Sequence, residues 1–173
     1  MAGSTPVGAC LTGTGTPFDF GLQTVAGIYS VVAKNAVTTC TVNMLSAATV
    51  TINTPPAAYA VTTVGSGHYC SGGTGVNIGL ATSDIGVNYQ LKYGGVAIGS
   101  PVVGTSLPIG FGLQTSAGLY TVEATDAVTG CTATMTGSST VVIDPLPTSQ
   151  VVSGGGSYCP GGTGVDVSLL MSD

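Results

Sequence analysis

The chain has 173 residues, of which only 5% are charged, with two Lys+Arg and a formal net charge of -5. Lys34 and Lys92 are the only basic residues. They cannot neutralise the roughly six to ten phosphates of a typical DNA footprint or form a polybasic membrane patch, so nucleic acid and anionic lipid are excluded as partners. No run of about 18 apolar residues marks a transmembrane helix, and the opening MAGSTPVGAC has neither the basic nor the apolar region of a signal peptide. A 43% hydrophobic fraction is not the composition of intrinsic disorder. Val and Thr favour strands, Gly and Pro break helices, and no stretch carries a helical apolar period. The chain reads as all-β.

Its organisation is set by a repeat. FGLQTVAGIYSVVAKNAVTTCT, residues 20–41, returns as FGLQTSAGLYTVEATDAVTGCT, residues 111–132, with 15 of 22 positions identical. The same offset of 91 relates Pro17 to Pro108, Tyr29 to Tyr120, Cys40 to Cys131 and Pro56 to Pro147. YCSGGTGVNIGLATSD, residues 69–84, returns as YCPGGTGVDVSLLMSD, residues 158–173, at an offset of 89. A period of about 90 residues is too long for a solenoid unit and suits a β-sandwich module. The Pro-rich stretches INTPPAAYA and IDPLPTSQV each follow an apolar run, and Pro ends strands and stiffens linkers. These boundaries make residues 1–56 the C-terminal part of one repeat, 57–147 a complete repeat, and 148–173 the N-terminal strands of the next. The expectation is a window on a longer array.

Within the complete repeat, YAVTTVG (59–65) reads as a first strand. GVNIGLATS (75–83) alternates Val76, Ile78 and Leu80 against Asn77 and Gly79. VNYQLKY (87–93) alternates Val87, Tyr89, Leu91 and Tyr93 against polar neighbours, and GLYTVEAT (118–125) alternates Tyr120, Val122 and Ala124. STVVID closes the module. Period-two alternation marks strands with one buried face, and short strands between Gly and Pro turns read as a sandwich. Tyr120 and its counterpart Tyr29 sit where an immunoglobulin-type sandwich carries the Tyr near the start of strand F. The inter-sheet Cys expected two residues later is Val122 or Val31, and the chain has no Trp.

The five cysteines are Cys10, Cys40, Cys70, Cys131 and Cys159. Each repeat owns one YC cysteine near its start and one GCT or TCT cysteine near its end. Two recurring cysteines per module is the usual pattern of an oxidised extracellular repeat, so Cys70 and Cys131 are expected to form an intra-module disulfide, with the partner of Cys159 beyond this window or in a neighbouring chain. Cys10 breaks the pattern: it pairs with Cys40, stays a thiol, or leaves Cys40 to the Cys159 of another chain.

Other motifs carry less. Zinc needs four close ligands, and no Cys spacing supplies them. His68 is alone and aligns with Ser157, which reads as a surface loop residue. GGTG at 72–75 and 161–164 lacks the Lys-Ser/Thr of a phosphate loop and precedes a strand, so it reads as a turn. The acids are spread singly, whereas a calcium loop needs them clustered, and the unrepeated histidine argues against a catalytic triad. No catalytic, cofactor-binding or metal residue is assigned.

The strings GSYCPGGTGVDVSL, GVNYQLKYGGVAIGSPVVGT and GLYTVEATDAVTGCTATMTGSSTVVIDPLP together resemble the tandem immunoglobulin-like repeats of very large surface proteins of Bacteroidota, including gliding-motility-associated adhesins exported by the type IX pathway. The likeness spans all but about the first 16 residues and implies a cell-surface location and adhesion. The expected function is a structural stalk or spacer, with neighbouring repeats or subunits as partners. Two alternatives stand beside it. One is a glycan- or ice-binding module using the Thr-rich TATMTGSSTV and Tyr59, Tyr69, Tyr89 and Tyr93. The other is a filament subunit in which strands of 148–173 complete the open 1–56 of a neighbour.

Overall fold

The computed structural model describes residues 5–17 and 19–171; Asp173, the repeat counterpart of Asp84, lies outside them. The protein is all-β, with sixteen strands and no helix among the described residues. It divides into two compact units, Met1–Asn53 and Thr54–Asp173.

The first unit holds β1 (Gly27–Tyr29), β2 (Val32–Lys34), β3 (Thr41–Asn43) and β4 (Ala48–Val50). β1 pairs antiparallel with β4 and β2 with β3, as two separate ribbons. Nearly every residue of these strands is exposed, Ile28, Val32 and Val42 included.

The second unit begins with β5 (Val61–Thr63), β6 (His68–Cys70), β7 (Val76–Leu80) and β8 (Val87–Tyr93). β9 (Val96–Ala97), β10 (Val102–Val103), β11 (Ile109–Gln114), β12 (Gly118–Asp126), β13 (Thr132–Thr134) and β14 (Ser139–Asp144) follow, then β15 (Val152–Gly154) and β16 (Val167–Leu169). One sheet runs β10-β8-β12-β14-β6, with β13 on β12 and β9 on β8; a second runs β11-β7-β5. Both contribute to a single core. β7 supplies Val76, Ile78 and Leu80, β8 Val87, Tyr89 and Leu91, β12 Tyr120, Val122 and Ala124, and Met135 and Val141 complete it. The arrangement is consistent with a β-sandwich. Each fully buried aliphatic such as Ile78 or Val122 contributes about 1.5–3 kcal/mol by leaving water.

The alternation read from the sequence selects these faces. β8 spans the expected residues, and β12 extends one residue further, to Asp126. Three differences have physical reasons. Tyr93 ends its strand half-exposed, its ring tilted against Tyr120 at 5.0 Å between centroids. The first strand is shorter than expected, because the chain before Val61 is shared between two partners: Tyr59 O accepts from Thr136 N at 2.8 Å, while Ala60 bridges Thr136 and its O accepts from Ala81 N at 3.1 Å. His68 is not a loop residue: it opens β6, which pairs in parallel with β14 at Val142.

The repeat is also a repeat of hydrogen bonds. The β1–β4 register, Gly27 with Val50 through Tyr29 with Ala48, returns 91 residues later as Gly118 with Val141 through Tyr120 with Ser139. The β2–β3 register returns as Glu123 with Thr134 through Thr125 with Thr132. The pairing of Val61 with Leu80 and Thr63 with Ile78 returns as Val152 with Leu169 and Gly154 with Val167.

Candidate functional site

Among the described residues, the polar side-chain contacts described below gather at the two ends of the segment 57–147. The chain enters at one end. Thr136 N donates to Tyr59 O at 2.8 Å, and Tyr59 Oη donates to Asp84 Oδ1 at 2.6 Å. That bond, before burial, raises the pKa of the Tyr59 hydroxyl. Val87, paired with Asp126, lies at this N-terminal pole, as does the turn 126–131, where Asp126 N donates to Cys131 O at 2.9 Å. β14 leaves at the opposite, C-terminal pole, where Val141 pairs with Gly118 and, three residues on, Asp144 pairs with Cys70.

This register overturns the expected Cys70–Cys131 disulfide. Eight residue steps of β12 separate Gly118 from Asp126, about 26 Å at the rise of a strand, and Cys70 lies beyond Gly118. A disulfide requires Cα atoms within about 4.4–6.8 Å. Sequence spacing showed two cysteines per module and was silent on which pole each occupies. Cys10, Cys40, Cys70 and Cys159 are exposed thiols. The Cys10–Cys40 alternative is not formed either: Cys40 Sγ points to Thr38 O at 3.7 Å.

Tyr29 and Tyr120 share one geometry. Tyr120 Oη donates to Ser116 O at 2.8 Å and Tyr29 Oη donates to Val25 O at 2.8 Å, each four residues upstream. This is the back-bond of a tyrosine corner. Burial raises the pKa of Tyr120, so the hydroxyl stays a neutral donor.

The C-terminal pole carries a polar cluster that sequence reasoning missed. His68 Nδ1 lies 3.2 Å from both oxygens of Asp144, and Cys70 follows two residues later on the same exposed side of β6. The signal that could have found it is weak, since a three-residue strand paired in parallel with a segment 76 positions away leaves no local period. Among the described residues, no three His, Cys, Asp or Glu side chains gather as a metal site.

The four tyrosines expected to stack on sugars are committed elsewhere. Tyr89 is fully buried, with its hydroxyl accepting from Asp84 N at 2.9 Å. Tyr69 and Tyr93 hydroxyls donate to Thr115 O and Ala117 O. Met135 and Ser139, within the Thr-rich stretch, are buried, which breaks any continuous hydroxyl face. An open groove of about 300 Å³ lies between Leu91, Ile98, Val102 and Phe111, with Gln114 at its side. Lys92 Nζ and Glu123 Oε2 pair at 2.8 Å on the outer face of β8 and β12, a half-exposed contact of small energetic weight. No protein family, curated protein or solved structure matches the chain.

Proposed function

We propose that the chain is a run of tandem immunoglobulin-like β-sandwich repeats that serves as a non-catalytic stalk or spacer in a large extracellular surface adhesin or filament. The observation that carries this reading is the reproduction of hydrogen-bond register at offsets of 91 and 89 residues, including the Tyr29 and Tyr120 back-bonds. What recurs is packing and turn chemistry, and His68, the one imidazole, is replaced by Ser157 in the next copy. The complete module takes the chain in at one pole and releases it at the other, with Pro145 and Pro147 stiffening the exit. Such modules extend a chain by stacking end to end.

The test is the mass of the native polypeptide on a denaturing gel, with and without reductant. A chain many modules long in both lanes supports the stalk. A ladder that collapses on reduction to a single short subunit overturns it in favour of a filament of separate subunits.

A filament subunit that polymerises by strand addition is the second reading. It is favoured by the β15–β16 hairpin, which keeps the β5–β7 register while Val167 and Leu169 stay exposed. A glycan- or ice-binding module is supported only by the groove beside Phe111 and Gln114.

A further inference from the structure

We propose that the open side of the sandwich, between β10 and β11, is a binding site for a small, neutral, largely apolar molecule carrying one hydrogen-bond donor, such as a bicyclic phenol. The site lies within residues 91–114. It stands apart from the stalk reading, which rests on the recurrence of strand registers.

Topology makes the opening. β10 ends one sheet and β11 ends the other, so no further strand closes the core between them. The groove of about 300 Å³ lies there, walled by Leu91, Ile98, Val102 and Phe111. Leu91 belongs to the buried core, and Ile98 and Phe111 pack against it, so the groove reaches inward to the core. Its volume stands at the lower end of the roughly 300–1,000 Å³ of ligand sites. At a water molecule's share of liquid volume, about 30 Å³, it holds about ten non-hydrogen atoms.

The lining sets the chemistry of the occupant. No Asp, Glu, Lys or His lines the groove. Lys92 and Glu123 satisfy one another on the outer face of β8 and β12. An ionised ligand would leave water without a partner, which disfavours it strongly. The polar side chains are Ser100 and Gln114. Gln114 Nε2 already donates to Phe111 O at 3.0 Å, which leaves the amide oxygen as an acceptor. One ligand hydroxyl matches it. A sugar does not, because most of its hydroxyls would lie unpaired against Leu91, Ile98 and Val102.

The walls are held before anything binds. Ile98 N donates to Leu91 O at 2.9 Å, and Gln90 Nε2 donates to Ile98 O at 2.7 Å, tying the β9–β10 connection to β8. Fixed walls lower the ordering cost of binding. The lining is also written twice. At the offset of 91, Ile98, Val102, Phe111 and Gln114 correspond to Val7, Leu11, Phe20 and Gln23, apolar for apolar and Gln for Gln. Gln23 Nε2 repeats the bond to the preceding Phe, donating to Phe20 O at 3.2 Å. Ser100 becomes Ala9, so the acceptor common to both copies is the Gln.

The test is a titration of the full, isotopically labelled chain with 2-naphthol, a neutral bicyclic phenol of about that size, followed by NMR amide shifts at neutral pH. The expected result is a saturable shift at Gly99, Ser100, Gly110 and Gln114, with the amides of β6 and of the 126–131 turn unmoved. 2-Naphthoate, the same ring system with a carboxylate, is expected to bind about tenfold more weakly or worse. Val102→Trp fills the groove from its β10 wall and is expected to lower the affinity for 2-naphthol by about tenfold or more. Position 102 is half-buried on an outer strand, and its counterpart Leu11 is already larger. If Val102→Trp loses the dispersed spectrum, Ser100→Phe on the exposed connection blocks the mouth instead. No saturable shift at those amides, shifts spread over the whole surface, equal binding of 2-naphthoate, or unchanged affinity in the blocked variant would each overturn the site. So would glucose moving the same amides where 2-naphthol does not, which would give the groove to a glycan. The stalk reading is judged on the reduced mass of the native polypeptide, which none of these outcomes touches, so the two failures stay distinguishable.

Discussion

Residues 20–50 and 111–141 make the same hydrogen bonds in opposite surroundings. Tyr29 and Tyr120 both bond four residues back. Gln23 and Gln114 both return to the carbonyls of the preceding Phe and Gly. Met44 N donates to Val31 O and Met135 N to Val122 O, each at 2.8 Å. Yet Tyr120 is 1% exposed where Tyr29 is half-buried, and Met135 is 3% exposed against 42% for Met44. The second copy is flanked by β8 within its own sheet and packed against β7 of the other; among the described residues of the first unit the first copy has neither. Turns and ribbon registers are thus written in the local sequence, while burial, the main favourable contribution to stability, comes from strands elsewhere in the chain.

The widest separation between the copies is expected from truncating the corner tyrosine. Tyr120→Ala removes a core ring and is expected to cost about 3–5 kcal/mol. The same change at Tyr29 leaves the core of the 54–173 unit untouched. Urea denaturation checks this: the midpoint of the main transition falls for Tyr120→Ala and stays for Tyr29→Ala. Equal shifts would mean that the first copy shares the core of the second.

Gly75 and Gly164 sharpen the comparison at the other repeated segment. Both hold left-handed backbone, with φ of 96° and 84°. A Cβ on Gly75 would meet Gln114 O at 2.6 Å, whereas one on Gly164 meets nothing within 4 Å. Alanine costs about 1–2 kcal/mol at each site from the backbone alone. At Gly75 it adds about 1–3 kcal/mol for displacing β11. Thermal melts of the two variants should separate by that second amount.

Tyr120→Phe keeps the ring and removes one hydrogen bond, for an expected loss of about 1 kcal/mol. Hydrogen exchange at β12 would show it as faster opening of that strand alone.

How far the sequence could be read follows the same division. β8 and β12 were legible residue by residue because their alternation is long and their buried face is uniform. β6 was not, because His68–Cys70 is three residues long and is held by β14, far away in sequence. The cysteine count per module was legible. The bridge was not, since recurrence says how many thiols a module has and only strand register says at which pole each lies. The alternation in residues 27–34 was legible too, but it predicts a buried face only where another sheet arrives to bury it.

The smallest expected difference is also the most local. In the second copy, Asp126 Oδ1 accepts from Val128 N at 3.0 Å and from Thr129 N at 2.7 Å; in the first, Asn35 Oδ1 accepts from Val37 N and Thr38 N, both at 2.9 Å. The turn is the same, but only one of the two acceptors titrates. The backbone and hydroxyl donors of Thr129, then the amide of Val128, lower the pKa of the Asp126 carboxyl. A carboxyl with a lowered folded-state pKa adds stability that is fully present above its unfolded value, near about 4, and is lost as pH falls through the lower folded value. Acid should therefore loosen the 126–131 turn and leave the 35–40 turn unchanged. The amide shifts of Val128 and Thr129, followed by NMR from neutral pH downward, should move below the ordinary carboxylate range, while those of Val37 and Thr38 stay flat. Asp126→Asn should keep the turn, because Asn35 already builds it, and should abolish that titration. If the Val128 shift still moved in Asp126→Asn, the acid sensitivity would belong to a group other than the turn's own acceptor.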